Sequence, residues 1–186
     1  MRKLYLFNLV TLDGFFEGPN HDISWFNVDD QFLEFSIDQL NQTDTLIFGR
    51  ITYQMMASYW QTEMAIKNDP LVANKMNSLP KLLFSRTLMS ANWNNTRLIK
   101  GDAAEEISQL KRQPGKDIAV LGSADLASTF MQHGLIDEYR IMINPVVLGK
   151  GTPLFKNADR KLDLKLSRTK TFRSGNVLLC YVPKGS

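Results

Sequence analysis

Three apolar runs in this chain stop abruptly at glycine or hydroxyl residues and pass into a turn or helix. The run from Thr45 to Phe48 meets Gly49, Arg50, Ile51 and Thr52. Lys81 to Phe84 meets Ser85, Arg86 and Thr87, and Ile118 to Leu121 meets Gly122, Ser123 and Ala124. Small residues at such a junction let the backbone approach a ligand closely, and a helix N-terminus offers unpaired N–H groups to phosphate oxygens. Arginine adds a forked donor pair that matches phosphate. One junction of this kind is ordinary in any α/β protein. Three, two of them with arginine, imply a long anionic ligand laid across the strand ends, and a phosphorylated dinucleotide has that shape and charge. Arg50 with Thr52, and Arg86 with Ser85 and Thr87, suit a 2′-phosphate and so favour NADP over NAD. Each junction also has a plain explanation: a solvated arginine, a polar turn, or Ser123 as a helix N-cap. Gly122-Ser123-Ala124 lacks the G-x-G-x-x-G spacing of the common dinucleotide fold, and no acidic residue ends the next strand to bind a ribose.

Composition narrows the class of molecule. A chain of 186 residues holds one domain with a good core, and 1–186 reads as a single unit without linker, repeat or low-complexity stretch. The hydrophobic share of 44% and the net charge of +3 are those of an ordinary globular protein. Basic residues are scattered with no run of five, which argues against a nucleic-acid groove. Cys180 is the single cysteine, so neither an internal disulfide nor a cysteine-based zinc site is available, and no metal site is expected. The apolar start from Leu4 to Phe7 is broken by Asn8, Thr11 and Asp13, which fits a buried first strand better than a signal peptide. No membrane span is expected, and the reading is of a cytoplasmic protein.

The elements that must position these residues alternate between strand and helix patterns, the signature of an α/β sheet covered on both faces. Strands are predicted at Lys3 to Val10, Thr45 to Phe48, Lys81 to Phe84, Arg97 to Ile99 and Asp117 to Leu121. Helices are predicted from Asp29 to Leu40, from near Thr52, from Asp69-Pro70 to Ser78, from Asp102 to Lys111, and from Ser123 to His133, the last closed by Gly134. The final third is strand-like at Tyr139 to Val147, Leu162 to Phe172 and Val177 to Val182. Arg173-Ser174-Gly175-Asn176 joins the last two as a hairpin, so an antiparallel edge closes a mostly parallel sheet.

Asp44 to Tyr53 resembles the Gly-Arg-x-Thr signature of the dihydrofolate-reductase fold, Leu83 to Leu88 its second cofactor segment, and Leu121 to Leu126 its third. Gly134 to Tyr139, continuing through Asn144 to Gly151, is similar to the C-terminal reductase domain of riboflavin biosynthesis, as is Thr11 to Gly14. The likeness runs in order along nearly the whole chain. It implies a dihydrofolate-reductase-like α/β fold: a mixed, mostly parallel sheet of about eight strands with flanking helices, NADPH across its C-terminal edges, and a homodimer. It also implies cofactor contacts from Gly49, Arg50, Thr52, Ser85, Arg86, Thr87, Leu121, Gly122, Ser123, Ala124 and Leu126. Where the riboflavin reductases place a glutamate before a glycine pair in the third segment, this chain has Leu121 and Ser123. The zinc deaminase half of the bifunctional riboflavin enzyme is missing, since no H-x-E accompanies a C-x-x-C.

Hydride transfer asks the protein to place a nicotinamide against an acceptor, exclude water and supply a proton. Asp13, in the glycine-containing loop after strand one, and Asp30 are the candidate acids; Trp25 and Asp30 resemble the tryptophan and carboxylate of a pterin pocket. The alternatives are a turn residue for Asp13 and a first-turn carboxylate for Asp30. Trp25, Tyr53 and Phe155 are candidates for a flat substrate pocket, against core packing as the alternative. His133 is explained by the helix C-terminus. The leading reading is an NADPH-dependent reductase of a small heterocyclic or sugar-derived substrate. A non-catalytic NADP-binding or ligand-sensing homodimer, and a purely structural homodimer, stand beside it.

Overall fold

The computed structural model describes residues 1–156, 158 and 161–185. Its centre is the first strand, β1 (Leu4–Thr11), buried along its entire length. That continuous apolar run marks a strand covered on both faces. Tyr5, Phe7 and Leu9 point to one side of the sheet, Leu4 and Leu6 to the other, and two hydrophobic cores form accordingly.

The other strands are β2 (Phe15–Glu17), β3 (Thr43–Gly49), β4 (Lys81–Phe84), β5 (Thr96–Ile99), β6 (Asp117–Val120), β7 (Glu138–Asn144), β8 (Thr152–Pro153), β9 (Leu164–Thr171) and β10 (Val177–Pro183). The main sheet has eight strands in the order β5-β4-β3-β6-β1-β7-β10-β9, and β2 pairs with β8 as a separate ribbon. Every pairing from β5 to β7 is parallel; β7–β10 and β10–β9 are antiparallel. The mixed sheet with an antiparallel C-terminal hairpin agrees with the expectation.

Helices α1 (Asp30–Asn41), α2 (Arg50–Trp60), α3 (Glu63–Asn68), α4 (Pro70–Ser78), α5 (Ala103–Lys111) and α6 (Ala124–Gln132) flank it. Phe35, Tyr53, Val72 and Met76 tie α1, α2 and α4 to the core that holds Tyr5 and Phe7. Ile107 and Phe130 tie α5 and α6 to the opposite core. The predicted caps Asp102 and Ser123 are present, accepting from Glu105 and Leu126 backbone N–H groups; Asp29, expected in the first turn of α1, instead caps it and accepts from Phe32 N–H. Gly134 follows α6 at φ +64. Two differences stand out. Helix α2 begins at Arg50 rather than near Thr52. The loop from Thr11 to Ser24 is organised by β2, which finds its partner only in β8, over 130 residues later. Among the described residues, no helix is long and apolar enough to cross a membrane, and no three His, Cys, Asp or Glu side chains gather as a metal site.

Candidate functional site

Because β3, β4 and β6 run parallel, their C-terminal ends share one edge, and the three sequence junctions meet there. The loops after β3 and β6 touch: Gly49 N–H donates to Gly122 O at 3.3 Å, and Leu121 N–H donates to Ile47 O at 3.1 Å. A Cβ on Gly49 would lie 2.6 Å from Ser123 Oγ, so only glycine lets these turns close on each other. Gly122 sits at φ +102 and backs onto Thr52 and Phe16, with a cis peptide bond to Ser123.

The helices starting at this edge suit an anion. Gly49 caps α2 without a side-chain bond, and no acidic residue occupies the first turn. Arg50 stands exposed at that terminus, its Nη1 donating only to Gln54 Oε1 at 3.4 Å. At α6 the first-turn Asp125 is drawn aside by Lys156, 2.7 Å away, so it does not oppose an anion at the helix end. Ser85 Oγ accepts from the Thr87 and Leu88 amides, making the loop after β4 a hydroxyl-closed turn that presents Arg86 and Thr87 to solvent.

Next to this edge, between the Tyr5–Phe7 face of the sheet and helices α1 and α2, lies a cavity of about 590 Å³. Tyr5, Phe7 and Leu9 form its floor, Phe32, Leu33, Met55, Met56 and Tyr59 its walls, and Thr52 and Leu121 the end nearest the strand edge. Phe16, Glu17, His21 and Phe26 line it from the loop between β1 and α1. Asn8 also lines it, with only 4% of the residue exposed and Oδ1 without a partner. Asn8 alternates with Phe7 and Leu9, so its side chain turns toward the opposite face of the sheet with Leu4 and Leu6.

Glu17 and His21 are the acid–base groups the sequence reading passed over. Glu17 Oε2 lies 2.9 Å from His21 Nδ1, with the Glu17 side chain 13% and the His21 side chain 52% exposed. Gly151 holds Glu17 in place: it backs so closely onto the Glu17 carbonyl that no side chain fits there.

Several candidates lie elsewhere. Asp13 is outside the cavity lining; its carboxylate accepts from Thr11 Oγ1 at 2.6 Å, Gly149 N–H at 2.8 Å and Leu148 N–H at 3.3 Å. It pins the segment after β7 to the end of β1. Asp30 is exposed in the first turn of α1, also outside the lining. Tyr53 is a core residue, stacked with Phe48 and Trp93 and accepting from Trp93 N–H at its hydroxyl. Phe155 packs against Tyr139, whose core lies on the opposite face of the sheet from the cavity. Trp25 stands one place back, edge-on to Phe26, and donates to Asp22 O. Leu126 and Ala124 are buried beneath α6, and the Leu126 amide is spent on Ser123. Gly49, Arg50, Thr52, Leu121, Gly122 and Ser123 do come together at the edge.

The Asp13 geometry is open to an acid test. The Thr11 hydroxyl, then the Gly149 and Leu148 amides, hold this carboxyl below its usual range. A depressed carboxylate adds stability above its unfolded pKa of about 4, and loses it as pH falls through the lower folded value. The Gly149 amide resonance is therefore expected to shift only below about pH 4. A midpoint at or above that value would show an unpartnered carboxylate.

The family model described as the RibD C-terminal domain matches residues 2–178. Protein YyaP of Bacillus subtilis, itself uncharacterized, is 38% identical over 180 residues, covering 97% of this chain and 94% of its own. A candidate riboflavin biosynthesis protein of Shewanella sp. PV-4 superimposes with a TM-score of 0.77 at 22% identity, across 98% of this chain and 99% of that one. The deaminase/5-amino-6-(5-phosphoribosylamino)uracil reductase of Thermotoga maritima gives a TM-score of 0.69 at 14% identity, covering 98% of this chain. This chain spans 56% of that bifunctional protein's length.

Proposed function

We propose that this chain, which belongs to the RibD C-terminal domain family, is an NADPH-dependent reductase of a small cyclic substrate. The observation that carries the reading is the convergence of the β3 and β6 junctions on one end of a deep, mostly apolar cavity. The residues present fit the cofactor. Arg50 and the uncapped terminus of α2, together with Arg86 beyond β4, supply positive charge for its phosphates, and Gly49 and Gly122 keep the turns low. When bound, the dinucleotide supplies a hydride to a C=N or C=O carbon.

The protein's own part is to orient the acceptor on the floor of Phe7 and Leu9, keep water out, and hold a proton near the heteroatom. His21 is the cavity-lining group suited to that last task, and Glu17 Oε2, 2.9 Å from its Nδ1, orients the ring.

NADPH binding is read by quenching of tryptophan fluorescence. Arg50→Ala is expected to weaken it by roughly ten- to a hundredfold, since a charge-assisted phosphate contact contributes about 1.5–3 kcal/mol. Equal affinity for NADH and NADPH in the unaltered protein would count against the 2′-phosphate assignment. Tight NADPH binding with no oxidation by any acceptor would favour the ligand-sensing alternative.

A homodimer belongs to the same reading. On β7 and β10 one face, carrying Met142, Leu178 and Cys180, is buried. The other, with Ile141, Ile143, Val177 and Leu179 in register, is only half-buried. Covering that apolar stripe with a second copy would remove it from water. Sedimentation at micromolar concentration is expected to give twice the 21.2 kDa chain mass; the single-chain value removes the idea.

A further inference from the structure

We propose that the molecule taken up by this cavity is an uncharged, largely apolar fused ring, and that rings carrying a phosphate or carboxylate are rejected. The inference rests on the reductase reading for what happens to the ring, and on the cavity alone for which ring enters. A volume of about 590 Å³ accommodates a two- or three-ring compound beside one end of a cofactor. Its ionisable lining groups are Glu17, Asp69 and His21, with Tyr5 and Tyr59 as phenols; among the described residues no lysine or arginine lines it. Glu17 and His21 are paired with each other, which leaves the Asp69 carboxylate as the remaining charged side chain of the lining.

The buried cation nearest the floor is Arg140, which stacks on the Tyr5 ring, 3.8 Å from its centroid, and is neutralised by Glu138 at 2.8 Å. An anionic group entering here would lose its hydration and meet Asp69, with His21 already taken up by Glu17 and no lysine or arginine among the described lining residues to replace the water. A neutral ring meets Phe7, Leu9, Phe32 and Tyr59 and the adaptable thioethers of Met55 and Met56, and gains by leaving water. Two polar groups of the walls are already engaged: Ser36 Oγ donates to Phe32 O, and Gln39 Oε1 accepts from Arg140.

The test uses a matched pair, quinoxaline and quinoxaline-2-carboxylate, titrated calorimetrically into the full chain with and without NADPH at pH 7.5. Quinoxaline is expected to bind at least tenfold more tightly than the carboxylate in both cases. Equal binding, tighter binding of the anion, or binding of neither overturns the proposal. Faster NADPH oxidation with 5-amino-6-(5-phosphoribosylamino)uracil than with quinoxaline overturns it equally. In Met55→Lys, checked as folded by circular dichroism, the carboxylate is expected to gain at least tenfold; a folded variant with the original preference overturns the electrostatic argument. NADPH titration alone reads the reductase proposal separately: its failure with the ring preference intact leaves the cavity assignment standing and removes only the cofactor.

Discussion

Replacing His21 with alanine is expected to lower turnover by about 10²–10⁴-fold while leaving NADPH affinity nearly unchanged, the usual contribution of a positioned general acid. His21 and Glu17 are the histidine–carboxylate pair that lines the cavity, 2.9 Å apart. Glu17→Gln keeps the shape but removes the carboxylate that orients the His21 ring, so it is expected to give a smaller loss. A fall in kcat with KM unchanged separates a proton-transfer role from a merely structural one. Asp13→Asn and Asp30→Asn are the companion variants. With Asp13 committed to Thr11, Leu148 and Gly149, and Asp30 outside the lining, both are expected to retain most activity. Full activity in His21→Ala with collapse in either aspartate variant would return the role to that aspartate. If none of the four substitutions matters, the proton comes from solvent.

The sequence revealed the sheet more fully than the site, for a physical reason. Strands β1, β3, β4 and β6 are covered on both faces, so each must be a nearly unbroken apolar run, and such runs are visible without a structure. Asp102, Ser123 and Gly134 announce helix ends through local hydrogen bonding and backbone conformation. The edge proposed to take the cofactor was legible for the same reason: Gly49, Arg50, Gly122 and Ser123 abut the ends of readable strands.

The acid–base pair was not legible, because Glu17 reaches the cavity through the pairing of β2 with β8, a ribbon of three and two residues. A pairing so short and so distant in sequence leaves no periodicity. The four-residue spacing of Glu17 and His21 around Gly18 and Pro19 was the one available hint. Helix α3 was missed because its six residues bury only Ala65. Tyr53 and Phe155 illustrate the converse error. An aromatic residue near a motif is read as a binding wall, but burial is decided by which face of the element it occupies: Tyr53 serves a core, and Phe155 lies exposed against Tyr139, away from the cavity.

Gly122→Val is expected to abolish measurable NADPH binding, at least a hundredfold by titration, and to cost about 1–3 kcal/mol of stability through the backbone alone. At φ +102 any residue with a Cβ is strained, and that Cβ would stand 2.8 Å from Thr52 Oγ1 and 3.2 Å from Phe16 Cζ. Both neighbours line the cavity, so relief of the contact must deform the end where cofactor and acceptor would meet. Gly122→Ala separates the two effects. It brings the same backbone penalty and the same first contact without the two extra methyl groups, so it is expected to lose similar stability but less affinity. Urea unfolding monitored beside the NADPH titration provides the comparison. If both variants lose affinity only in proportion to stability, Gly122 serves the turn and not the ligand. If affinity falls far more steeply in the valine variant while both remain folded at working temperature, the low, side-chain-free turn after β6 is what the cofactor requires.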